Sequence, residues 1–323
     1  MTDHLRWGIL GAAQFAQNHM GPAIHMARRG RLAALATSSA DKAAPFAAFA
    51  PGLQVFDSYE ALLADPDIDA VYIPLPNHLH VEWAVKALEA GKHVLVEKPL
   101  AMQADGFDPV IRARDASGKL AAEAYMIVHH PQWQRARALV SEGAIGKLVR
   151  VSAAFSFDNR DGDNIRNRPE TGGGAIPDIG VYIYGATRFV TGEEPEAILS
   201  TEIRRENDVD VWSHVTARFP SFHYTGVVSM RMAPWQEVVF HGEGGVLRLT
   251  TPFNAQVYGE ARVELQAADL TVTSWRFPSV NHYVQQVENF NASVLDGAAY
   301  PCPLEFSRGT QEMIDMVWAK DAG

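Results

Sequence analysis

Short apolar runs separated by longer amphipathic stretches fill the first third of the chain. Residues 6–10, 32–36, 55–56, 70–73, 93–96 and 120–123 read as strands. Between them, residues 14–29, 41–50, 78–90 and 104–117 read as helices, with one more opened by Asp57 or Ser58 as cap. Strands separated by helices of this length predict right-handed crossovers and a doubly wound parallel sheet. The pattern changes near Glu123. A helix over 131–142 ends at Gly143, and strand-like runs follow at 148–157, 196–203, 211–219, 224–230, 237–241 and 246–249. Several alternate or are β-branched, with Gly or Pro in their turns, which predicts antiparallel or mixed strands. Helices over about 179–190, 283–295 and 307–319 interrupt or close this region. The reading is an α/β domain over 1–122 followed by an α+β domain over 123–323.

Composition narrows the class. The 323 residues, 47% hydrophobic and 20% charged, suffice for two cores. A net charge of −10 with no basic block argues against nucleic acid or anionic membrane as partner. Cys302 is the one cysteine, which excludes an intrachain disulfide and fits a reducing compartment. Met1-Thr2-Asp3-His4 does not begin a secretion signal, and no apolar run approaches the roughly 20 residues that span a bilayer. A cytoplasmic protein is expected.

In an open parallel sheet, ligands collect beyond the carboxyl ends of the strands. After the first strand, Gly11, Ala13 and Ala16 fill the small positions of a dinucleotide turn, with Ala12, Gln14 and Phe15 between them. A bare strand-to-helix turn fits the same pattern. After the second, Thr37-Ser38-Ser39 and Lys42 stand where an NAD site carries an acid; hydroxyls and a cation favour the 2′-phosphate of NADP, with NAD still possible, and an ordinary solvated turn competes with both. Asp41 reads as part of the next helix's first turn. Pro74-Leu75-Pro76-Asn77-His78 stiffens the turn after the fourth strand, and Asn77 serves equally as helix cap or ligand. His78 and His80 lack metal spacing, so no metal is expected. Glu97-Lys98-Pro99 ends the fifth strand. A lysine there, beside an acid that could hold it, becomes a proton relay only if desolvation or another cation lowers its ordinary pKa.

A second constellation is Gly172-Gly173-Gly174-Ala175-Ile176-Pro177-Asp178-Ile179-Gly180-Val181-Tyr182. The glycines allow a flexible approach to a helix opened by Asp178, and Tyr182 shares its face four residues on. A capping Asp and a core Tyr would look the same, but Gly180 inside a helix needs a packing reason. The preceding 159–174 stretch is dense in Gly, Asn, Asp and Arg, and long loops of this kind are usually functional or disordered. Asp163, Asn164, Arg166 and Arg168 could serve a polyhydroxylated ligand there, or simply a solvated loop. His129 and His130 follow a strand and precede Pro131; one could line the cleft, but satisfied structural histidines fit better.

These pieces, with Trp7-Gly8-Ile9-Leu10, Gly91 to Leu100, Glu123-Ala124-Tyr125-Met126, Gly143-Ala144-Ile145-Gly146 and Gly242 to Leu249, resemble the glucose–fructose oxidoreductase / inositol dehydrogenase (Gfo/Idh/MocA) family in order from end to end. The resemblance implies a Rossmann domain, then an open, mostly antiparallel mixed sheet whose outer face builds a homodimer or homotetramer. It also implies NAD(P)-dependent hydride transfer to or from a sugar, polyol or related carbonyl. Carried over by position, Lys98, Asp178 and Tyr182 are catalytic. Gly11 to Phe15, Thr37, Ser38, Ser39, Lys42, Pro74, Leu75, Asn77, His80, Glu97 and Lys98 hold the cofactor, and Tyr125, Asn164, Arg166, Asp178 and Tyr182 the substrate. Tyr182 stands where one branch has His, so Tyr182 and Lys98 compete as proton carrier. A trans-dihydrodiol-type dehydrogenase and a non-catalytic dinucleotide sensor are the alternatives.

Overall fold

The computed structural model describes residues 3–255 and 257–322. Among the described residues the helices are α1 (Gly21–Met26), α2 (Ala40–Phe49), α3 (Tyr59–Ala64), α4 (His80–Glu89) and α5 (Phe107–Ser117). They continue with α6 (Pro131–Ser141), α7 (Val181–Thr191), α8 (His282–Asp296) and α9 (Leu304–Asp321). No helix among them is long and apolar enough to cross a membrane.

The first sheet contains β1 (Leu5–Leu10), β2 (Gly30–Ala36), β3 (Gln54–Phe56), β4 (Ala70–Ile73), β5 (His93–Val96) and β6 (Ala121–Glu123). All pair in parallel, in the order β3-β2-β1-β4-β5-β6. This is the doubly wound order, and its direction of winding reverses between β1 and β4, where a crevice opens beyond the strand ends. Apolar side chains leave both faces. Ile73, Val96 and Phe107 anchor one core; Trp7, Ile9, Tyr72 and Leu95 anchor the other. The second of these is closed by α8, whose Phe290 ring lies 4.9 Å from that of Trp7 while Asn291 Oδ1 accepts the Trp7 indole N–H at 3.1 Å. One compact unit therefore takes in the chain up to Met126 together with His282–Ser307. The sequence reading drew a single cut after residue 122, because the amphipathic pattern of α8 shows that it covers a sheet but not which one.

The other unit takes in Ile127–Asn281 and the chain from Arg308 onward. Its sheet contains β7 (Leu148–Asp158), β8 (Ala197–Glu206), β9 (Val209–Arg218), β10 (His223–Ser229), β11 (Arg231–Gly242), β12 (Gly245–Thr250), β13 (Ala261–Ala267) and β14 (Val272–Phe277). The order is β14-β13-β12-β11-β7-β10-β9-β8, and β7–β10 is its parallel pair among otherwise antiparallel ones. Val151, Ala153 and Phe155 of β7 and Val238 and Phe240 of β11 are buried on the inner side. Helix α7 is buried from Val181 to Val190, as an all-round apolar helix must be. Strands β13 and β14 were not foreseen. The edge strand β14 has no fully buried position, so it lacks the stripe that marks a strand.

Candidate active site

In the first unit the candidate residues gather at the carboxyl ends of β1, β2, β4 and β5. Gly11 leaves β1 with φ +97°, and its N–H donates to Ala36 O at 2.9 Å. A Cβ at this position would meet Leu75 Cδ2 at 3.0 Å, so the tight turn and the close approach both require glycine. Ala12, Ala13 and Phe15 are partly exposed and Gln14 is exposed. The expected helix starts at Gln14, passes through a π turn, Ala16–Met20, and continues as α1. Pro22 has no N–H to donate and its ring crowds the carbonyl four residues back, which a widened turn relieves.

The turn after β2 keeps its hydroxyl protons available. Ser39 caps α2, its Oγ accepting the Lys42 N–H at 3.3 Å, and Thr37 Oγ1 accepts the Ser39 N–H at 3.3 Å. Ser38 and Lys42 are exposed, and Asp41 stands in the first turn of α2 as expected. Both oxygens act here as acceptors, so each O–H can still donate to an anion at the helix start.

After β4, Asn77 heads a 3-10 turn, Asn77–Leu79, and Leu79 occupies the N-cap position of α4. The capping reading of Asn77 is therefore replaced. His80 is fully buried, with Nδ1 2.8 Å from Pro99 O and Nε2 2.6 Å from Leu75 O. Both ring nitrogens thus face backbone carbonyls, which corrects its expected direct contact with a nucleotide: it ties the loop after β4 to that after β5. Burial pushes the imidazole down to about 4, against the two carbonyls, which favour its protonated form.

Lys98, partly exposed at the end of β5, stands beside two carboxyls. Tyr72 Oη donates to Glu97 Oε1 at 2.6 Å, and the Lys98 N–H donates to Glu97 Oε2 at 3.2 Å. Glu123 is buried and accepts the Leu100 N–H at 2.8 Å and the Ser307 hydroxyl. Burial pushes both carboxyls up, while the Lys98 charge acts on each in the opposite direction. Tyr72 and Glu123 had no assigned role in the sequence reading, since they converge from different strands. Tyr125, expected to touch substrate, is 1% exposed and packs its ring 6.2 Å from Phe306. It is a core residue.

In the second unit, Arg166 Nε donates to Asp178 Oδ2 at 2.7 Å, an ion pair that aims the carboxylate. Asp178 lies in a second π turn, Ile176–Gly180, containing Pro177 and leading into α7. Tyr182 is 6% exposed, its ring 5.8 Å from Phe155 and 5.6 Å from Phe253, and those two rings stack at 5.2 Å. This cluster fixes the phenol's direction. Tyr258 meets Phe155 edge-on at 6.5 Å, and its hydroxyl is pushed up by burial and then by the Asp178 charge. Phe155, Phe253 and Tyr258 arrive from β7 and the loop after β12, so no local motif announces them.

The glycine run is crowded rather than flexible. A Cβ on Gly173 would lie 2.6 Å from Arg166 O, and one on Gly174, at φ +136°, would collide with the Asp210 carboxylate. Gly180 accommodates the Tyr184 ring, 3.1 Å from where its Cβ would be. The 159–174 loop is internally bonded. Asn164 Oδ1 accepts the Arg166 N–H at 3.1 Å, and Arg231 donates to Asn159 O and Asn167 Oδ1. Arg168 pairs with Glu170 at 2.7 Å, and both are exposed, as is Asp163. His130 caps α6, its Nδ1 accepting the Gln132 N–H at 3.0 Å, and His129 is buried. Among the described residues no three His, Cys, Asp or Glu side chains gather as a metal site.

Comparisons with known proteins agree with this geometry. Residues 5–125 match an oxidoreductase family with an NAD-binding Rossmann fold, and residues 133–248 match the GFO/IDH/MocA C-terminal domain. A dTDP-3,4-didehydro-2,6-dideoxy-α-D-glucose 3-reductase of Actinomadura kijaniata is 32% identical, over 100% of this chain and 96% of that one. A D-xylose 1-dehydrogenase (NADP(+)) of Haloferax volcanii is 33% identical, over 97% and 96%. A solved 3-ketoreductase from Actinomadura kijaniata, in complex with NADP and TDP-benzene, superposes with a TM-score of 0.90 at 29% identity, covering 98% of each chain. It has also been solved with one tyrosine changed to phenylalanine and with one lysine changed to alanine.

Proposed function

The chain belongs to the Gfo/Idh/MocA family of oxidoreductases with an NAD-binding Rossmann fold, and from that premise we propose that it reduces a ketone carbon of a sugar carried on a nucleotide, with NADPH. The observation that carries this reading is the placement of Lys98 on the same strand-end edge of the parallel sheet as the Gly11 turn. The residues present fit the cofactor. Gly11 clears the approach, the first helix start offers N–H donors, and Thr37, Ser38, Ser39 and Lys42 meet a 2′-phosphate with no carboxylate at the end of β2.

When bound, the reduced nicotinamide supplies the hydride. The chain's own residues manage the proton and the charge. Tyr182, its ring fixed by Phe155 and Phe253, gives its hydroxyl proton to the carbonyl oxygen. Lys98 supplies a positive charge for the oxygen being reduced, and Asp178, aimed by Arg166, binds a neighbouring hydroxyl of the sugar. The dTDP-linked substrate named for one relative, together with the TDP-benzene bound in the similar solved 3-ketoreductase, supports a nucleotide-sugar, with a free sugar such as D-xylose as the second candidate. Self-association through the outer face of the eight-stranded sheet, where Leu199 and Trp235 are exposed, completes the reading. Light scattering should then return two or four times 35.4 kDa, and a monomer would refute that part.

The test follows NADPH at 340 nm with dTDP-3,4-didehydro-2,6-dideoxy-glucose and, in reverse with NADP+, with D-xylose. Lys98→Met and Tyr182→Phe should each lower kcat by at least about 10²-fold while NADPH still binds. The double variant should lose far less than the product of the two losses, because the pair acts as a unit. Near-full kcat in Tyr182→Phe alone makes Lys98 the proton carrier. Tight nucleotide binding without turnover of any sugar makes the protein a sensor instead.

A further inference from the structure

Asp210 on β9 is 4% exposed, and nothing in the reaction as described uses it. Its Oδ2 accepts the Ile176 N–H at 2.7 Å, and the Ala175 N–H also donates to this carboxylate. These donors belong to the start of the π turn that carries Asp178, where N–H groups lack partners inside the helix. The Gly174 backbone presses on the same carboxylate so closely that no side chain fits there. A strand residue thus does what a capping residue does locally elsewhere. Among the described residues, the charged or titratable groups facing it are Arg205, its register partner on β8, and Tyr184 on α7. Arg205 is half-exposed and paired with Asp321, so Asp210 has no buried cation of its own. An uncharged Asn of the same shape would accept the same bonds at lower desolvation cost. A carboxylate at such a position points to a use for its charge.

We infer that Asp210 is the positioning residue of the active site, anchoring the helix start that holds Asp178 and, one turn on, Tyr182. The inference rests on the reading of those two residues as the reacting site. Asp210 touches the reaction through the Ala175 and Ile176 backbone. Its charged form attracts these N–H groups more strongly than its protonated form. Burial pushes this carboxyl up to about 7, with the Ile176 N–H opposing. Activity should therefore rise with pH through that region as the anchor ionises.

The experiment compares wild type, Asp210→Asn and Tyr182→Phe in kcat and KM between pH 5.5 and 9, using the faster of the two sugar reactions above. NADPH affinity is measured alongside by fluorescence. Wild type should show an acidic limb in kcat near pH 7. Asp210→Asn should fold, lose that limb, run at about a tenth or less of the wild-type kcat at pH 8, and bind NADPH within about twofold of wild type. Wild-type kcat at pH 8 in Asp210→Asn, or an unaltered acidic limb, overturns the inference while the inactivity of Tyr182→Phe leaves the site reading intact. Activity in both variants overturns the site reading itself. If Asp210→Asn does not fold, the wild-type profile decides, and absence of the limb overturns the proposal.

Discussion

Replacing Gly174 with alanine tests whether the glycine run is a crowded anchor or a flexible approach. Two costs combine at this position. Its φ of +136° is a region L-residues rarely adopt, which costs about 1–3 kcal/mol. The new Cβ would also collide with the Asp210 carboxylate and crowd Pro177 Cδ at 3.0 Å, an overpacking penalty of about 1–3 kcal/mol. The sum is about 2–6 kcal/mol. Gly143, in the same unit, is the control. It has φ +77° with nothing within 4 Å of its missing Cβ, so alanine there carries only the left-handed cost of about 1–2 kcal/mol. Thermal unfolding followed by circular dichroism should place Gly174→Ala below Gly143→Ala by several degrees, at roughly 2–4 °C per kcal/mol. The clash has a named partner, so it can be isolated. In an Asp210→Ala background the cost of Gly174→Ala should shrink by about 1–3 kcal/mol, the overpacking part, while the backbone part remains. Equal Tm values for the two glycine variants, or additivity in the double-variant cycle, would refute the reasoning.

Ser38→Asp, placed at the exposed turn after β2, should repel a 2′-phosphate and reverse the preference in kcat/KM from NADP(H) to NAD(H). A wild type that already favours NAD(H) by about tenfold, some 1.4 kcal/mol, would remove the premise. Asp210→Asn should raise Tm at pH 8 and change it little at pH 5. Its carboxyl is raised to about 7 in the fold, so its stability contribution is present at low pH and lost as pH rises through 7. A lower Tm for Asp210→Asn at pH 8 would contradict the buried-charge argument. His93 and His130 act in the opposite sense. Their Nδ1 atoms accept the Leu120 and Gln132 N–H groups, and burial depresses both to about 4. The stability they contribute is complete above the unfolded value near 6.5 and is lost as pH falls towards 4, which a Tm series in that window would show.

Which parts of this structure were legible in the chain follows from where each residue's partners come from. Strands β4 and β5 match their predicted bounds because apolar side chains leave both faces, so four consecutive positions carry the signal. Strand β14 was missed because an edge strand buries nothing completely. Among the candidate residues, Gly11, Lys98, Asp178 and Tyr182 could be picked out from the sequence since each sits in a short motif at an element end. Glu123, Phe253, Tyr258 and Asp210 were not, because each is an ordinary residue type that matters only through neighbours distant in sequence. Depth is also invisible in a one-dimensional pattern. Tyr125 and His80 flank the right strand ends, but their rings turn into the core.

Both helices that carry the proposed chemistry begin in the same unusual way. Ala16–Met20 and Ile176–Gly180 are π turns, and each leads directly into an α-helix. Pro177 is the second residue of the latter, and Pro22 lies two residues beyond the end of the former. Pro22 removes one N–H from the ladder and crowds the carbonyl behind it, which a widened turn relieves, whereas Pro177 stands in the first turn, where its missing N–H has no ladder partner to lose. A wider start leaves more backbone donors unpaired within the helix. In the first unit this helix follows the Gly11 turn at the carboxyl end of β1, where a pyrophosphate would bind on the proposed reading. In the second unit the donors meet Asp210, a carboxylate supplied by the protein itself. On the proposed reading the same local device serves two ends: one helix start receives an external anion, while the other is held by an internal one so that Asp178 and Tyr182 keep their aim.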